Sequence, residues 1–187
     1  MAFIYIVPIT PAARFWREPL EAGIQKTFGI KTRFAADWRI DSARTYDSAR
    51  DQYNSSGMLL QLIERPPADA IKILGVAELD LFIPILTFVF GEAQLDGIGS
   101  VVSLHRLNNK FYGLPEDQVL QTERLVKESI HELGHTFGLV HCTYPACVLN
   151  ASTYVEDIDQ KSEEFCPECR QELRLTLQAL QARRAIR

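Results

Sequence analysis

Apolar and polar positions alternate in blocks along this chain, and the period changes from block to block. Residues 3–7 form an unbroken apolar run of strand length and read as a buried strand. Residues 11–28 carry the spacing of a helix, with a kink expected near Pro19, Phe28 as the last apolar position and Gly29 as the stop. Residues 31–36 predict a second strand. Residues 51–64 predict a helix through Tyr53, Leu59, Leu60 and Ile63, weakened by Gly57 and ended by Pro66. Residues 70–76 predict a third strand. Residues 88–94 and 99–104 predict two more, separated by a turn at Asp96-Gly97. Pro115-Glu116-Asp117 then opens a long helix, its acidic groups placed at the positive end of the helix dipole. Val119, Val126, Ile130, Leu133 and Phe137 form the expected buried stripe of that helix. Residues 172–184 close the chain as a helix with Leu173, Leu177 and Leu180 on one face.

The long helix ends in His131-Glu132-Leu133-Gly134-His135-Thr136-Phe137-Gly138-Leu139-Val140-His141. Positions four apart on a helix are about 40° apart around its axis, so His131 and His135 point the same way, one turn apart. Two imidazoles so placed can share one tetrahedral zinc. Glu132 is offset by about 100°, within reach of a water on that metal without being a ligand. Gly138 supplies the left-handed conformation that ends a helix sharply, and the returning chain can present His141 as a third ligand. Three protein ligands leave one position open, which is the mark of a catalytic zinc.

All four cysteines lie beyond the motif, at Cys142, Cys147, Cys166 and Cys169. Two short knuckles of paired cysteines are the sequence form of a structural zinc site with four thiolates. Two disulfides are the alternative, and they would demand an oxidising compartment. The opening residues have no basic segment ahead of their apolar run and predict a strand, not a secretory signal. A cytoplasmic setting keeps thiols reduced and favours metal.

Taken together, the two patterns resemble one family, the archaemetzincins, a metalloprotease branch of the metzincins. That family shows the extended histidine motif followed directly by a cysteine, a second cysteine five residues on, a methionine, and later a C-x-x-C. His141-Cys142, Cys147 and Cys166/Cys169 stand in those places, so the resemblance covers residues 131–169. It implies a metzincin-like fold of the α/β (α+β) class. Its parts would be a twisted mixed five-stranded sheet with two main helices, a zinc cleft, and a small zinc-stapled C-terminal part with a terminal helix. The expected division is one metalloprotease domain, with residues 1–141 as its upper part and 142–187 as its lower part. The chain departs from the family at one position, Leu149, where a methionine would form the apolar floor under the zinc. Leucine is close to methionine in volume and hydrophobicity, so the exchange costs under about 1.5 kcal/mol and the floor survives.

Composition changes this picture little. A chain of 187 residues, 47% of them apolar, is large enough for one domain with a true core. A formal charge of −4 with scattered Lys and Arg argues against nucleic acid or an anionic membrane as partner. The expected partner is a peptide or protein substrate, and the expected state is a monomer. Residues 88–94 fit the edge strand that lines a metzincin cleft and pairs with an extended peptide, with Gly91 permitting close backbone approach. His105, outside the motif, reads as a strand-end residue. Tyr144 and Tyr154 follow the third ligand, where some metzincins place a tyrosine beside the zinc, but neither matches a fixed position.

These parts predict a zinc peptidase with two zinc ions per chain and Glu132 as general base. The alternative from another class is a catalytically silent zinc-containing peptide-binding protein on the same fold, which Leu149 alone favours.

Overall fold

Residues 2–10 and 14–185 are described by a computed structural model of the chain. Its strands are β1 (Phe3–Pro8), β2 (Thr32–Phe34), β3 (Tyr46–Asp47), β4 (Gln52–Asn54), β5 (Ala70–Ala77), β6 (Leu81–Phe82), β7 (Gly91–Ala93) and β8 (Gly99–Ser103). Its helices are α1 (Arg17–Phe28), α2 (Ser55–Ile63), α3 (Gln118–Thr136), α4 (Val155–Gln160) and α5 (Pro167–Ala185). A five-stranded mixed sheet runs β2-β1-β5-β8-β7, and a small three-stranded sheet runs β3-β4-β6. In the large sheet β1 is parallel to β2 and β5, and β5 is parallel to β8. Only β7, on the outer edge, is antiparallel to its neighbour β8.

Helices cover both faces of the large sheet, which explains its unbroken apolar runs. Alternate residues sort to opposite sides: Ile4, Ile6, Leu74 and Val76 pack toward α1 and α3. Tyr5, Val7, Ile73 and Ala77 pack toward α2, where Met58 and Leu62 meet them. The first of these cores runs on without a break into the C-terminal segment through Val148, Leu149, Ile158, Phe165 and Leu173. Three rings mark that junction. Phe28 of α1 stacks on Phe137 at 5.1 Å and meets Phe165 edge-on at 6.1 Å.

Several boundaries differ from the sequence reading. Helix α1 begins at Arg17, so Pro19 falls in its first turn, where a missing N–H costs nothing and no kink results. Pro11, Ala12 and Ala13 of the expected helix lie outside the described residues. Gly29 does end the helix, at φ 65°. The segment expected as one helix over 51–64 divides in two. Asn54 takes an extended conformation and caps α2 by accepting from the Gly57 N–H at 3.0 Å, which leaves residues 52–54 as strand β4. Tyr53, counted toward a helical stripe, packs against Tyr46 of β3 instead, the two rings tilted at 51°. Residues 88–90 stay outside strand β7: Val89 makes one antiparallel bridge to Leu81, its N–H donating to Leu81 O at 2.9 Å, and Phe90 is a bend whose carbonyl accepts from the Ser103 N–H at 2.8 Å. Val119, placed in the buried stripe of α3, is 71% exposed, in a first turn whose neighbours Asp117 and Gln118 are exposed as well. Helix α5 starts at Pro167, five residues before the expected Glu172, and helix α4 had no forecast.

Candidate metal centre

Helix α3 runs from its Asp117 cap, which accepts from the Leu120 N–H at 2.9 Å, to Thr136. Gly138 then adopts φ 90° and turns the chain back. His131 and His135 face each other across one turn with their Nε2 atoms 3.0 Å apart. Each ring is oriented from behind. Nδ1 of His131 donates to Val148 O at 2.8 Å, and Nδ1 of His135 donates to Leu139 O at 2.7 Å, leaving both Nε2 lone pairs free to converge. The His141 ring closes the group at 5.2 and 4.9 Å between ring centroids. Burial, first of all, holds His131 well below the ordinary imidazole range and lowers His135 as well, so both rings are neutral and ready to ligate. One ligand atom from each of the three lies within 4.8 Å of the others.

The four cysteines converge in the same way, their sulfurs within 4.8 Å of one another. Cys142 and Cys166 Sγ are 3.8 Å apart, far beyond a disulfide bond of about 2.05 Å, and all four are free thiols. The Tyr144 N–H donates to Cys142 Sγ at 3.4 Å and the Cys166 N–H to Cys147 Sγ at 3.3 Å. Burial raises Cys166 and Cys169, and neighbouring sulfurs raise Cys169 further. A dication among the four would offset that crowding, so the donor set fits zinc.

Residues 39–175 match the family model described as peptidase family M54. The archaemetzincin of Pyrococcus furiosus is 40% identical, with 91% of each chain covered. That of Archaeoglobus fulgidus is 42% identical over 91% of this chain and 98% of its own. This chain belongs to peptidase family M54, the archaemetzincins. Among solved structures, the archaemetzincin of Methanopyrus kandleri has a TM-score of 0.84 at 32% identity, covering 95% of this chain and 96% of its own. A zinc-dependent peptidase from Methanocorpusculum labreanum has a TM-score of 0.83 at 30% identity, covering 91% and 99%. Membership places the chain among the metallopeptidases.

As in the expected archaemetzincin layout, a cleft opens beside the histidines. It encloses about 290 Å³ between the strip 86–91, the α3 residues Glu128, His131 and Glu132, His141, and residues 151–153. Glu132 is buried on this cleft. Burial and then the neighbouring Glu128 carboxylate hold its proton affinity well above the usual carboxylate range, against the pull of Lys161. Gly91 stands against it, where a β-carbon would come 2.7 Å from Glu132 Cγ and 2.7 Å from Val101 O. Leu149, in the place of the family methionine, is fully buried under the turn of α3 between the two histidines. A β-carbon on Gly134 would meet Leu149 Cδ2 at 3.0 Å.

The remaining sequence candidates lie apart. His105 packs against Phe111 and belongs to neither donor cluster. Tyr144 and Tyr154 are exposed and line no part of the cleft. Sequence reading passed over Glu128, Lys161 and the wall 151–153. Glu128 left a trace, because it lies three residues before His131 and four before Glu132, on the helix face of the motif. Lys161 left none. Among the described residues no helix is long and apolar enough to cross a membrane.

Proposed function

We propose that this chain hydrolyses peptide bonds, with one zinc held by His131, His135 and His141 and a second, structural zinc held by Cys142, Cys147, Cys166 and Cys169. The observation that carries this reading is that Glu132, His131 and His141 line one cleft, with the histidine lone pairs already converged. Bound there, zinc would polarise a water and the substrate carbonyl. Glu132 is the general base: it takes a proton from the attacking water and returns it to the departing amine, with no covalent intermediate. Its place supports this role, since it is buried on the cleft directly beside His131 and His141. Strand β7 lies on the edge of the large sheet and its Gly91 lines the cleft, which suits pairing with an extended peptide or protein substrate.

We read the whole chain as one metalloprotease domain, with residues 142–187 stapled beneath residues 1–141 by the cysteine zinc. The free thiols support a cytoplasmic setting, and a monomer is the proposed state. The test is cleavage of a panel of fluorogenic peptides with and without chelator. Turnover that chelator abolishes and zinc restores is expected. Peptide binding without turnover by the zinc-loaded protein would establish the silent peptide-binding alternative instead.

A further inference from the structure

The most deeply buried ion pair among the described residues lies directly behind the histidine cluster. Lys161 Nζ is 2.7 Å from Glu128 Oε1, with side chains 1% and 4% exposed. Removing both charges from water costs more than their attraction commonly returns, so an apolar pair of equal volume would serve stability as well or better. What the ion pair provides is position. The ammonium donates to Asn150 O at 3.1 Å and stands 3.5 Å from Nδ1 of His131. Nδ1 already donates to Val148 O at the shorter 2.8 Å, so the carbonyl sets the tautomer and the ammonium fixes where the turn 148–150 stands against α3.

That turn also reaches the third histidine. Asn150 Nδ2 donates to Cys142 O at 3.0 Å, and the Cys142 N–H donates to Leu149 O at 2.9 Å, next to His141. Lys161 itself follows α4, which is fastened to α3 independently. Arg124 holds Asp159 with two bonds of 2.7 Å, and Lys127 donates to Ile158 O at 3.0 Å. Two methyl-ended side chains would fill the same space without directing a hydrogen bond at Asn150 or holding a carboxylate on α3.

We infer that Lys161 and Glu128 are positioning residues, an internal charged tie that sets the spacing of the histidine ligands and of the adjoining cleft wall. The inference rests on the reading of the histidines as a metal site, and it concerns metal affinity first and turnover second.

The experiment uses the full chain with Lys161→Met and Glu128→Met combined, since either change alone would strand a buried charge. The measurements are the melting temperature of the full chain carrying zinc at the cysteines alone, cobalt(II) affinity at the histidines, and kcat and KM of the zinc-loaded protein. Visible absorption separates cobalt on nitrogen ligands from cobalt on thiolates. The expected result is a melting temperature equal to or above the parent's, with zinc kept at the cysteines. Affinity at the histidines falls at least tenfold, and kcat falls more than KM rises. Histidine-site affinity within twofold of the parent's overturns the inference, as does a variant that melts far lower or fails to fold, since the pair would then be merely structural. Should the parent bind cobalt at the histidines yet cleave no peptide, the proposed activity fails while the affinity comparison still decides this one.

Discussion

A β-carbon placed on Gly91 would lie 2.8 Å from Oε1 of Glu132 as well as against its Cγ. The edge strand and the motif glutamate are therefore in van der Waals contact, and the absence of a side chain on one defines where the other sits. Because the second obstacle is the Val101 carbonyl, the strand cannot relieve the clash by moving one flexible side chain.

Gly91→Ala is accordingly predicted to displace Glu132. Overpacking of this kind costs about 1–3 kcal/mol. Peptide hydrolysis should fall at least tenfold while zinc content stays at the parent level, as kinetics and elemental analysis would show. Full activity in this variant would mean that Glu132 need not occupy its observed position.

Glu132→Gln should keep both metals and lose turnover. Glutamine has nearly the same shape, yet it cannot accept a proton from water, and general-base catalysis contributes roughly 10²–10⁴-fold. Single-turnover kinetics on zinc-loaded variant and parent is the measurement, and a variant with most of the parent rate would remove Glu132 from the mechanism.

Freshly purified protein should hold two zinc ions. Cys166→Ser or Cys169→Ser should lower the melting temperature on the order of 10 °C, because metal-binding energy here is folding energy. Weaker retention of metal at the histidines should follow, since Cys142 is tied to Leu149 beneath them. Unchanged melting and metal content, with turnover abolished, would assign the cysteines a chemical role instead.

A pH effect is expected from Lys72. Its ammonium is buried between Gly97 O and Thr136 O, at 2.6 Å from each, at the carbonyl end of α3. Burial lowers its pKa from 10.5 to about 8. Between those two values the folded chain binds fewer protons than the unfolded chain, so this group makes stability rise with pH across that window and withdraws the gain as pH falls through 8. The unfolding free energy of the parent relative to Lys72→Met should therefore climb by about 3 kcal/mol from pH 8 to 10.5. A flat difference in denaturant titrations would show that the lysine stays charged in the fold.

Leu149→Met should be almost silent. Both side chains fill similar volume, so a change under about 1.5 kcal/mol and unchanged zinc content are expected. A large gain in turnover would show that sulfur under the histidines tunes the centre.

The sequence disclosed the site more completely than the fold around it, for a physical reason. His131, Glu132, His135 and Gly138 act within two helical turns, and helical geometry converts their spacing directly into direction. Phe28 and Gly29 were legible for the same reason, since a helix end is decided locally. Asn54 was misread because Tyr53 beside it falls on the helical spacing of Leu60, and only the pairing of β4 with β3 and β6 places it in a strand. The cleft wall at 151–153 and the ion pair of Glu128 with Lys161 depend on contacts across more than twenty residues, and no period in the sequence encodes those.

Phe28, Phe137 and Phe165 carry a consequence for how the molecule opens. The rings come from the first helix, the end of the zinc helix and the C-terminal segment, and they share one apolar core. Detaching any one of the three uncovers apolar surface on its neighbours, which raises the cost of a local opening there. Amide protons in α1, in the second half of α3 and near Phe165 should exchange together at the slowest rate, and a protease should find no early cut that releases the C-terminal segment intact.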